Sequence, residues 1–173
     1  MDEQLQFPIG KFKWIDEPSS DQINTGMETL ANFSQQLKNT LAGSNEEDFI
    51  KCYRPGGWNI SQIVHHLADS HMHSYMRMKH AMLEIQPHKK DYNEAEWAAL
   101  PDASSTEISY SMELLDALHK RWCVFLKSLD KDQLKRSYFH PERNKFYPIG
   151  TTILLYAWHC EHHLEHIKLA LKN

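Results

Sequence analysis

A chain of 173 residues is the size of one domain and is long enough to bury a hydrophobic core of its own. Hydrophobic residues make up 41% and charged residues 24%, which is ordinary for a globular protein and argues against extensive disorder. The net charge of −4, without a run of Lys and Arg, argues against nucleic acid as a partner, because phosphates attract a basic face. We therefore expect one domain over residues 1–173.

The N-terminal stretch MDEQLQFPIGKF is acidic and lacks the basic and apolar regions of a signal peptide. No apolar run approaches the length of a membrane span. Cys52, Cys123 and Cys160 are odd in number and far apart, which fits reduced thiols better than a disulfide framework. These features predict a cytoplasmic protein that does not insert into a membrane.

Four long segments have the apolar periodicity of an α-helix. The third follows SSTE, in which Ser104 and Glu107 have the spacing of a capping box. Four helices of about this length in one small domain predict an all-α fold, a four-helix bundle with long connecting loops. The predicted helices are Ser20–Leu41, Asn59–Glu84, Thr106–Leu129 and Thr152–Leu171.

Two of the connections are long and polar. QPHKKDYNEAEWAALPDASS, residues 86–105, is predicted to hold a short helix over Glu94–Leu100. HPERNKFYPIG, residues 140–150, is predicted to be an extended crossover bounded by two prolines, since no strand-like alternation is evident. Connections of this length often carry function.

The last predicted helix contains four of the twelve histidines. His159 and His163 are four residues apart, so their rings stack one helical turn apart. At about 100° per residue, the apolar line through Ile153, Ala157 and Ile167 places both at the edge of the core. On the same wheel His162 faces water, and His166 lies slightly farther from the apolar line than His159 and His163.

The second predicted helix offers a matching imidazole. Its wheel places His66 at the core edge and His65 nearly opposite, while His71 falls near the apolar line and His73 on the side of His66. Two imidazoles at i and i+4 with a third from another helix form a three-nitrogen site that leaves positions for water or substrate. The spacing therefore favours a metal site. The remaining histidines, His80, His88, His119 and His140, are interpreted as solvated or hydrogen-bonded.

RPGGWNISQIVHHLADSH (residues 54–71) and YAWHCEHHLEHI (residues 156–167) resemble the DinB superfamily of small four-helix metalloproteins. The closest resemblance is to its YfiT-like branch, which includes proteins of the bacillithiol-transferase type. Its marks are a Gly-Trp before the second helix, a double histidine, and a final WHxxHHxxHI. The resemblance implies one divalent ion per chain, held by His66, His159 and His163, the three histidines that the helical wheels place at the core edge.

Three imidazoles suit zinc and nickel equally, so the ligands do not identify the ion. The resemblance implies a metal-dependent enzyme acting on a small molecule, either a hydrolase or a transferase of low-molecular-weight thiols. We favour the transferase, in which the metal activates a bacillithiol-type thiol for attack on an epoxide, alkyl halide or antibiotic. A hydrolase would need a general base beside a metal-bound water, and His71 and His73 are the candidates.

Further expectations concern the surroundings of the ion. Arg54, Tyr75 and Arg77 are candidates, with His71, to hold an acidic thiol co-substrate. Second-shell acceptors for the metal ligands are expected among Asp69, Glu161 and Glu165. A non-catalytic structural or sensory ion is the remaining alternative, and it would need Cys160 or His166 as a fourth ligand. Otherwise Cys160 is expected to be a small buried hydrophobe.

The resemblance also implies a homodimer, which light scattering would test. Trp14, Trp97 and Phe139 lie outside the main predicted helices and are candidate interface aromatics.

Overall fold

The computed structural model describes residues 2–88 and 92–173, except for the side chain of Asp2. Residues 89–91, within the long loop predicted at 86–105, lie outside the described residues. The described chain forms seven helices, a 3-10 turn at Gln133–Lys135 and a two-stranded hairpin. The elements are α1 (Asp2–Gln6), α2 (Ser20–Thr40), α3 (Glu46–Phe49), α4 (Ile60–Leu83), α5 (Glu94–Trp97), α6 (Ser109–Lys127), β1 (Ser137–His140), β2 (Lys145–Pro148) and α7 (Ile149–Leu171).

The four long helices form the predicted four-helix bundle, so the fold class is confirmed. Helix α2 packs against α6 and α7, and α4 packs against the same two helices, so α2 and α4 occupy opposite corners. Phe33, Leu67, Trp122 and Ile153, one from each helix, are fully buried between them. A Cβ at Gly26 would lie 3.0 Å from the Cγ2 of Ile153, so this glycine permits the close approach of α2 and α7.

Side-chain caps fix the starts of α2 and α4. Ser19 Oγ accepts a hydrogen bond from the Gln22 backbone N–H at 3.2 Å, and the Gln22 side-chain oxygen accepts from the Ser19 N–H at 2.8 Å. Asn59 and Gln62 form the same reciprocal pair before α4. Each cap satisfies amide groups that have no partner within the helix. These starts agree with the predicted boundaries to within one residue.

The predicted capping box at Ser104 is wrong. The Glu107 backbone N–H, which a capping Ser104 would accept, donates to the Ser105 hydroxyl oxygen at 3.0 Å, and the Ser104 hydroxyl donates to the Pro101 carbonyl at 3.2 Å within a turn. Helix α6 begins instead at Ser109, whose N–H donates to the Glu107 carboxylate at 3.0 Å. Both serines bond to backbone groups within the segment that precedes α6, so neither has the role predicted for Ser104.

The predicted extended crossover is also corrected, because residues 137–148 form an antiparallel hairpin. Ser137 pairs with Pro148 and His140 with Lys145, around a turn in which Asn144 has a φ of +46°. Each strand has only four residues, too few for a clear alternating pattern in the sequence. Helix α7 therefore begins at Ile149, directly after the hairpin and three residues before its predicted start.

The N-terminal segment runs along the outer side of α7. The Trp158 indole N–H donates to the Gly10 carbonyl at 3.1 Å, and the Thr151 hydroxyl donates to the Ile15 carbonyl at 2.7 Å. Phe7 contacts the ring of His162 with 5.9 Å between ring centroids. A helix face that a wheel assigns to solvent is thus covered by a segment distant in sequence.

The three aromatics proposed for a dimer interface are half-buried within the chain itself. Trp14 packs against Tyr147 at 4.8 Å between ring centroids, and Phe139 against Phe146 at 5.1 Å. Trp97 packs against Tyr92 at 4.9 Å. These contacts account for the aromatic side chains without a second subunit, and the homodimer stays a prediction. Among the described helices, none combines the length and apolarity required to span a bilayer.

Candidate metal centre

His66, on α4, faces His159 and His163, on the neighbouring α7. One ring nitrogen of each lies within 4.8 Å of the others. The Nε2 atoms of His66 and His159 are 3.2 Å apart, and the rings of His159 and His163 stack one turn apart with 4.5 Å between centroids. The contact between α4 and α7 and the four-residue spacing on α7 together bring three imidazoles to one point.

This geometry fits a divalent ion bound by imidazoles. Zinc–nitrogen bonds of about 2.0–2.1 Å imply about 3.3 Å between two ligand nitrogens of a tetrahedral site, and about 2.9 Å for neighbouring ligands of an octahedral one. The 3.2 Å between His66 Nε2 and His159 Nε2 lies between these values. No carboxylate belongs to this group of described residues, so the three ligands would add no negative charge to that of the ion.

Burial keeps the three imidazoles neutral. It lowers the pKa of His66 to about 4, and it lowers the pKa values of His159 and His163 well below their ordinary range. Neighbouring imidazoles add to the effect, because two charged rings at this distance would repel each other. Near pH 7 each ring therefore offers a lone pair, which is the form that binds a metal.

Each candidate ligand has a hydrogen-bonding partner on its other nitrogen. His71 Nε2 lies 3.0 Å from His159 Nδ1, and His166 Nδ1 lies 3.4 Å from His163 Nδ1. The Tyr92 hydroxyl lies 3.1 Å from His66 Nδ1. Such partners orient the rings of metal ligands.

The site opens onto a cavity of about 670 Å³. All three histidines reach its wall. Three arginines reach it as well: Arg54 before α4, Arg77 on α4 and Arg143 in the hairpin turn. Glu94 is the only carboxylate among the described residues that line it. The wall therefore combines a candidate ion site with a net positive charge, which favours an anionic ligand.

The sequence profile of the DinB superfamily matches residues 27–167. This chain belongs to the DinB superfamily. A protein of Oceanobacillus iheyensis with the provisional name of metal-dependent hydrolase is 43% identical over 168 residues, covering 97% of this chain and 96% of the relative. YfiT of Bacillus subtilis, provisionally named in the same way, is 36% identical over 163 residues, covering 94% and 92% of the two chains.

Solved structures show the same architecture. The structure of Bacillus subtilis YfiT, described as a probable metal-dependent hydrolase with an unusual four-helix bundle topology, matches this DinB protein with a TM-score of 0.93. The match covers 95% of this chain and 94% of YfiT. A mycothiol-dependent maleylpyruvate isomerase matches with a TM-score of 0.55 at 17% identity, over 88% of this chain and 61% of that one. The second likeness concerns the fold alone.

The other candidate residues of this DinB protein divide between the cavity wall and its surroundings. Arg54 and Arg77 line the cavity, and Arg77 is buried. Tyr75, His71 and His73 are not among the described lining residues. Tyr75 packs against Trp122 and Phe125, and His73 stacks on Tyr92 at 4.6 Å between ring centroids. Tyr75 and His73 are therefore placed for packing beside the site.

Two histidines predicted to face away from the core are buried. His65 bonds the Ser111 hydroxyl at 2.7 Å and the Ser105 carbonyl at 3.0 Å, because the start of α6 and the segment before it cover that face of α4. His162, predicted to face water, is 7% exposed because Phe7 and Trp158 cover it. A helical wheel gives the direction of a side chain and cannot give the segments that cover it.

The expected carboxylate acceptors are not the partners of the candidate ligands. The observed partners are His71, His166 and Tyr92. Glu165 pairs with Lys168 at 2.7 Å, and Glu161 is exposed. Asp69 is half-buried, and burial raises its pKa to about 6. Glu161 and Glu165 lie two positions from a candidate ligand on α7 and therefore point elsewhere. Asp69 lies three positions after His66, but the Tyr92 hydroxyl contacts the second ring nitrogen of His66 instead.

Tyr92 and His119 are among the residues of this site that sequence reasoning missed. Tyr92 lies in the long loop, where no periodicity indicates direction. His119, interpreted as an ordinary histidine, bonds His71 at 2.7 Å and is 1% exposed. Its position four residues after Leu115 and three before Trp122 places it on the buried face of α6, so a wheel of that helix would have found it.

Acidification should destabilise the metal-free protein. Burial lowers the pKa of His66 and His166 to about 4 and that of His162 to about 3, whereas the ordinary value is 6.5. Between pH 6.5 and about 4 the unfolded chain takes up protons that the folded chain does not, so the free energy of unfolding falls as the pH falls. Each such histidine contributes at most about 1.4 kcal/mol per pH unit.

Denaturant unfolding followed by circular dichroism at several pH values checks this expectation. Stability should be greatest above pH 6.5, the ordinary histidine pKa, and decline steadily below it. A denaturation midpoint that stays constant or rises over this interval would contradict the burial of neutral histidines.

Proposed function

We propose that this DinB protein is a divalent-metal-dependent enzyme that transfers a small acidic thiol to an electrophile. His66, His159 and His163 would hold the ion. The observation that supports this most strongly is the convergence of three neutral imidazoles, without a carboxylate, on an arginine-lined cavity. Membership of the superfamily and the metal-dependent names of its relatives support the metal dependence.

A divalent ion at this position, with either water or a thiol as its remaining ligand, would lower the pKa of that ligand. In the proposed reaction the thiol loses its proton to solvent, and its sulfur forms a bond to carbon. At the same carbon, the bond to a halide or to an epoxide oxygen breaks and the leaving oxygen takes up a proton. The chain's contribution is to position the sulfur and the electrophile beside each other in the cavity.

The charge of the cavity supports an acidic thiol as the co-substrate. Arg54, Arg77 and Arg143 reach the wall, against the single carboxylate of Glu94 among the described residues. Guanidinium groups bind carboxylates through paired hydrogen bonds, and they do so more strongly where water is excluded. A low-molecular-weight thiol with carboxylates, of the bacillithiol type, matches this wall better than a neutral thiol.

Hydrolysis is the second candidate, and two observations favour it. Glu94 lines the cavity and is a possible general base for an attacking water, and its carboxylate is better placed than His71 or His73, which are not among the described lining residues. The provisional names of the relatives also indicate hydrolysis. We rank this function second because the arginine-rich wall is better explained by an acidic co-substrate.

A purely structural ion has less support. It would normally require a fourth protein ligand, for which Cys160 and His166 were the candidates. Cys160 does not belong to the group of described residues formed by His66, His159 and His163, and lies instead with His71 and His119. His166 already contacts the Gln6 carbonyl at 3.2 Å and His163 at 3.4 Å.

Paired assays on zinc- or nickel-loaded protein purified without an affinity tag separate the two catalytic candidates. Conjugation of a generic electrophile should require both the ion and a thiol, and an acidic thiol should be used at lower concentration than a neutral one. The His159→Ala protein serves as the control. Turnover of an ester that is suppressed by added thiol, without conjugation, would show that hydrolysis is the activity.

A further inference from the structure

We propose that His71, His119 and His166 are positioning residues that fix the tautomers of His159 and His163 through two chains of imidazoles. Each chain ends on a backbone carbonyl. The inference rests on the proposed metal site for its functional meaning, although the hydrogen-bonded chains can be tested without an ion.

The first chain starts at the Leu30 carbonyl, which lies 2.7 Å from His119 Nδ1. A carbonyl only accepts hydrogen bonds, so His119 must carry its proton on Nδ1. Its Nε2 is then a lone pair and accepts from His71 Nδ1, 2.7 Å away. The ring of His71 is thereby set in the same tautomer, with its lone pair on Nε2.

The chain continues from His71 to a candidate ligand. His71 Nε2 lies 3.0 Å from His159 Nδ1 and can only accept, so His159 carries its proton on Nδ1. The remaining nitrogen, His159 Nε2, is left as a lone pair directed at His66. A single backbone acceptor on α2 thus determines which nitrogen of His159 is free to bind an ion.

The second chain is shorter and approaches from the N-terminal segment. The Gln6 carbonyl lies 3.2 Å from His166 Nε2, so His166 carries its proton there. Its Nδ1 is a lone pair 3.4 Å from His163 Nδ1, which must then donate. His163 Nε2 is left free, as His159 Nε2 is. The two ligands on α7 are therefore prepared in the same tautomer by two separate backbone acceptors.

His66 is different, because its partner is a hydroxyl. The Tyr92 hydroxyl, 3.1 Å from His66 Nδ1, can donate or accept. Burial raises the pKa of Tyr92 well above its ordinary value, so the hydroxyl keeps its proton. The tautomer of His66 can thus change without a change in charge, while those of the two α7 ligands are fixed.

The histidines behind the ligands are poorly suited to bind an ion themselves. His71, His119 and Cys160 also form a close group. However, the nitrogens of His71 and His119 are 2.7 Å apart, shorter than the roughly 3.3 Å between two nitrogens on one tetrahedral ion. That distance is typical of a hydrogen bond between two rings, which is what the first imidazole chain requires.

Using imidazoles in place of carboxylates has a chemical consequence. A carboxylate behind a ligand histidine orients the ring and also brings negative charge towards the ion. The neutral chains orient His159 and His163 without that charge, so the ion retains more of its power to acidify a bound thiol or water. The two imidazole chains therefore account for the number of histidines near this one site.

Nitrogen-15 NMR of histidine-labelled, metal-free protein tests the chains directly, because the two neutral tautomers have distinct ring-nitrogen shifts. We expect the proton on Nδ1 in His71, His119, His159 and His163, and on Nε2 in His166. A proton on Nε2 of His71 or His119 would overturn the first chain, and one on Nδ1 of His166 would overturn the second. The result does not depend on whether the protein is an enzyme.

Zinc affinity, measured by chelator competition, tests the positioning role. His71→Phe keeps a ring of similar size but removes both nitrogens, and should weaken zinc binding roughly 10- to 100-fold, as loss of an outer-shell partner usually does. His71→Gln can still accept from His159 and should restore most of the affinity. His65→Phe is the matched control, because it removes a buried histidine that bonds Ser111 of α6 and the Ser105 carbonyl and belongs to neither imidazole chain.

An affinity of folded His71→Phe equal to that of the unchanged protein would overturn the positioning role. If that variant does not fold, the same comparison is made with His166→Phe, and the tautomers decide the chains independently. If the unchanged protein binds no zinc, the proposed function fails while the NMR result still decides whether the chains exist.

Discussion

Replacing His159 by alanine should remove the bound ion and abolish thiol conjugation, while the helical circular dichroism is retained. The variant loses one of three converging nitrogens and also the end of the imidazole chain that starts at Leu30. We expect the affinity for zinc to fall by more than about 100-fold, because loss of an outer-shell partner alone costs roughly 10- to 100-fold. His66→Ala and His163→Ala should behave in the same way.

His162→Ala is the matched control. His162 lies on the same helix and is buried to the same extent as His163, and among the described residues its Nδ1 has no hydrogen-bond partner. It belongs to an alternative group with His163 and His166, so the comparison also tests which group holds the ion. Metal analysis of untagged protein should find the ion in this variant. A site emptied by His162→Ala and retained by His159→Ala would contradict the assignment.

Replacing Arg77 by methionine should raise the KM for an acidic thiol and leave that for a neutral thiol of similar size nearly unchanged. Arg77 is 6% exposed and reaches the cavity wall, so its charge is little screened by water. Removing one partner of a buried charged pair costs roughly 2–5 kcal/mol, which corresponds to at least about a 30-fold change. Methionine keeps an unbranched side chain, which limits the disturbance of the packing.

Two variants serve as controls for this effect. Arg77→Lys keeps the charge but not the paired hydrogen bonds, so it should have an intermediate KM. Arg143 lies at the exposed hairpin turn, and Arg143→Met should have a small effect because water screens its charge. An equal rise in KM for acidic and neutral thiols in Arg77→Met would show that Arg77 supports the wall and does not recognise a carboxylate.

The helical periodicity was sufficient to predict the bundle and to place His66, His159 and His163 at the core edges of their helices, whereas the family resemblance grouped the three into one predicted site. The helical wheels depend only on the phase of single helices, and the convergence of the three rings requires in addition the contact between α4 and α7. The burial of His65 and His162 depends on other segments, the start of α6 and the N-terminal stretch, that cover their helix faces. Such contacts between distant parts of the chain leave no periodic signal.

The surroundings of the candidate ligands were harder to predict for the same reason. The partners of the ligands come from α4, α7 and the long loop, and the supporting histidine His119 comes from α6. The sequence suggested carboxylates close to the ligands along α4 and α7, whereas the structure uses imidazoles. Tyr92 could not be oriented from a loop without periodicity, and the short hairpin that carries Tyr138 and His140 to the cavity had too few residues to be recognised.

The most direct test of the account is a thiol titration of the cobalt-substituted protein, followed by absorption spectroscopy. If His66, His159 and His163 hold the ion and leave a position for a thiol, an acidic thiol should produce a sulfur-to-cobalt charge-transfer band that saturates at one thiol per ion. Protons should be released at the same time, because the sulfur binds as thiolate. Cobalt bound at one ion per chain with no such band at saturating thiol would contradict the account.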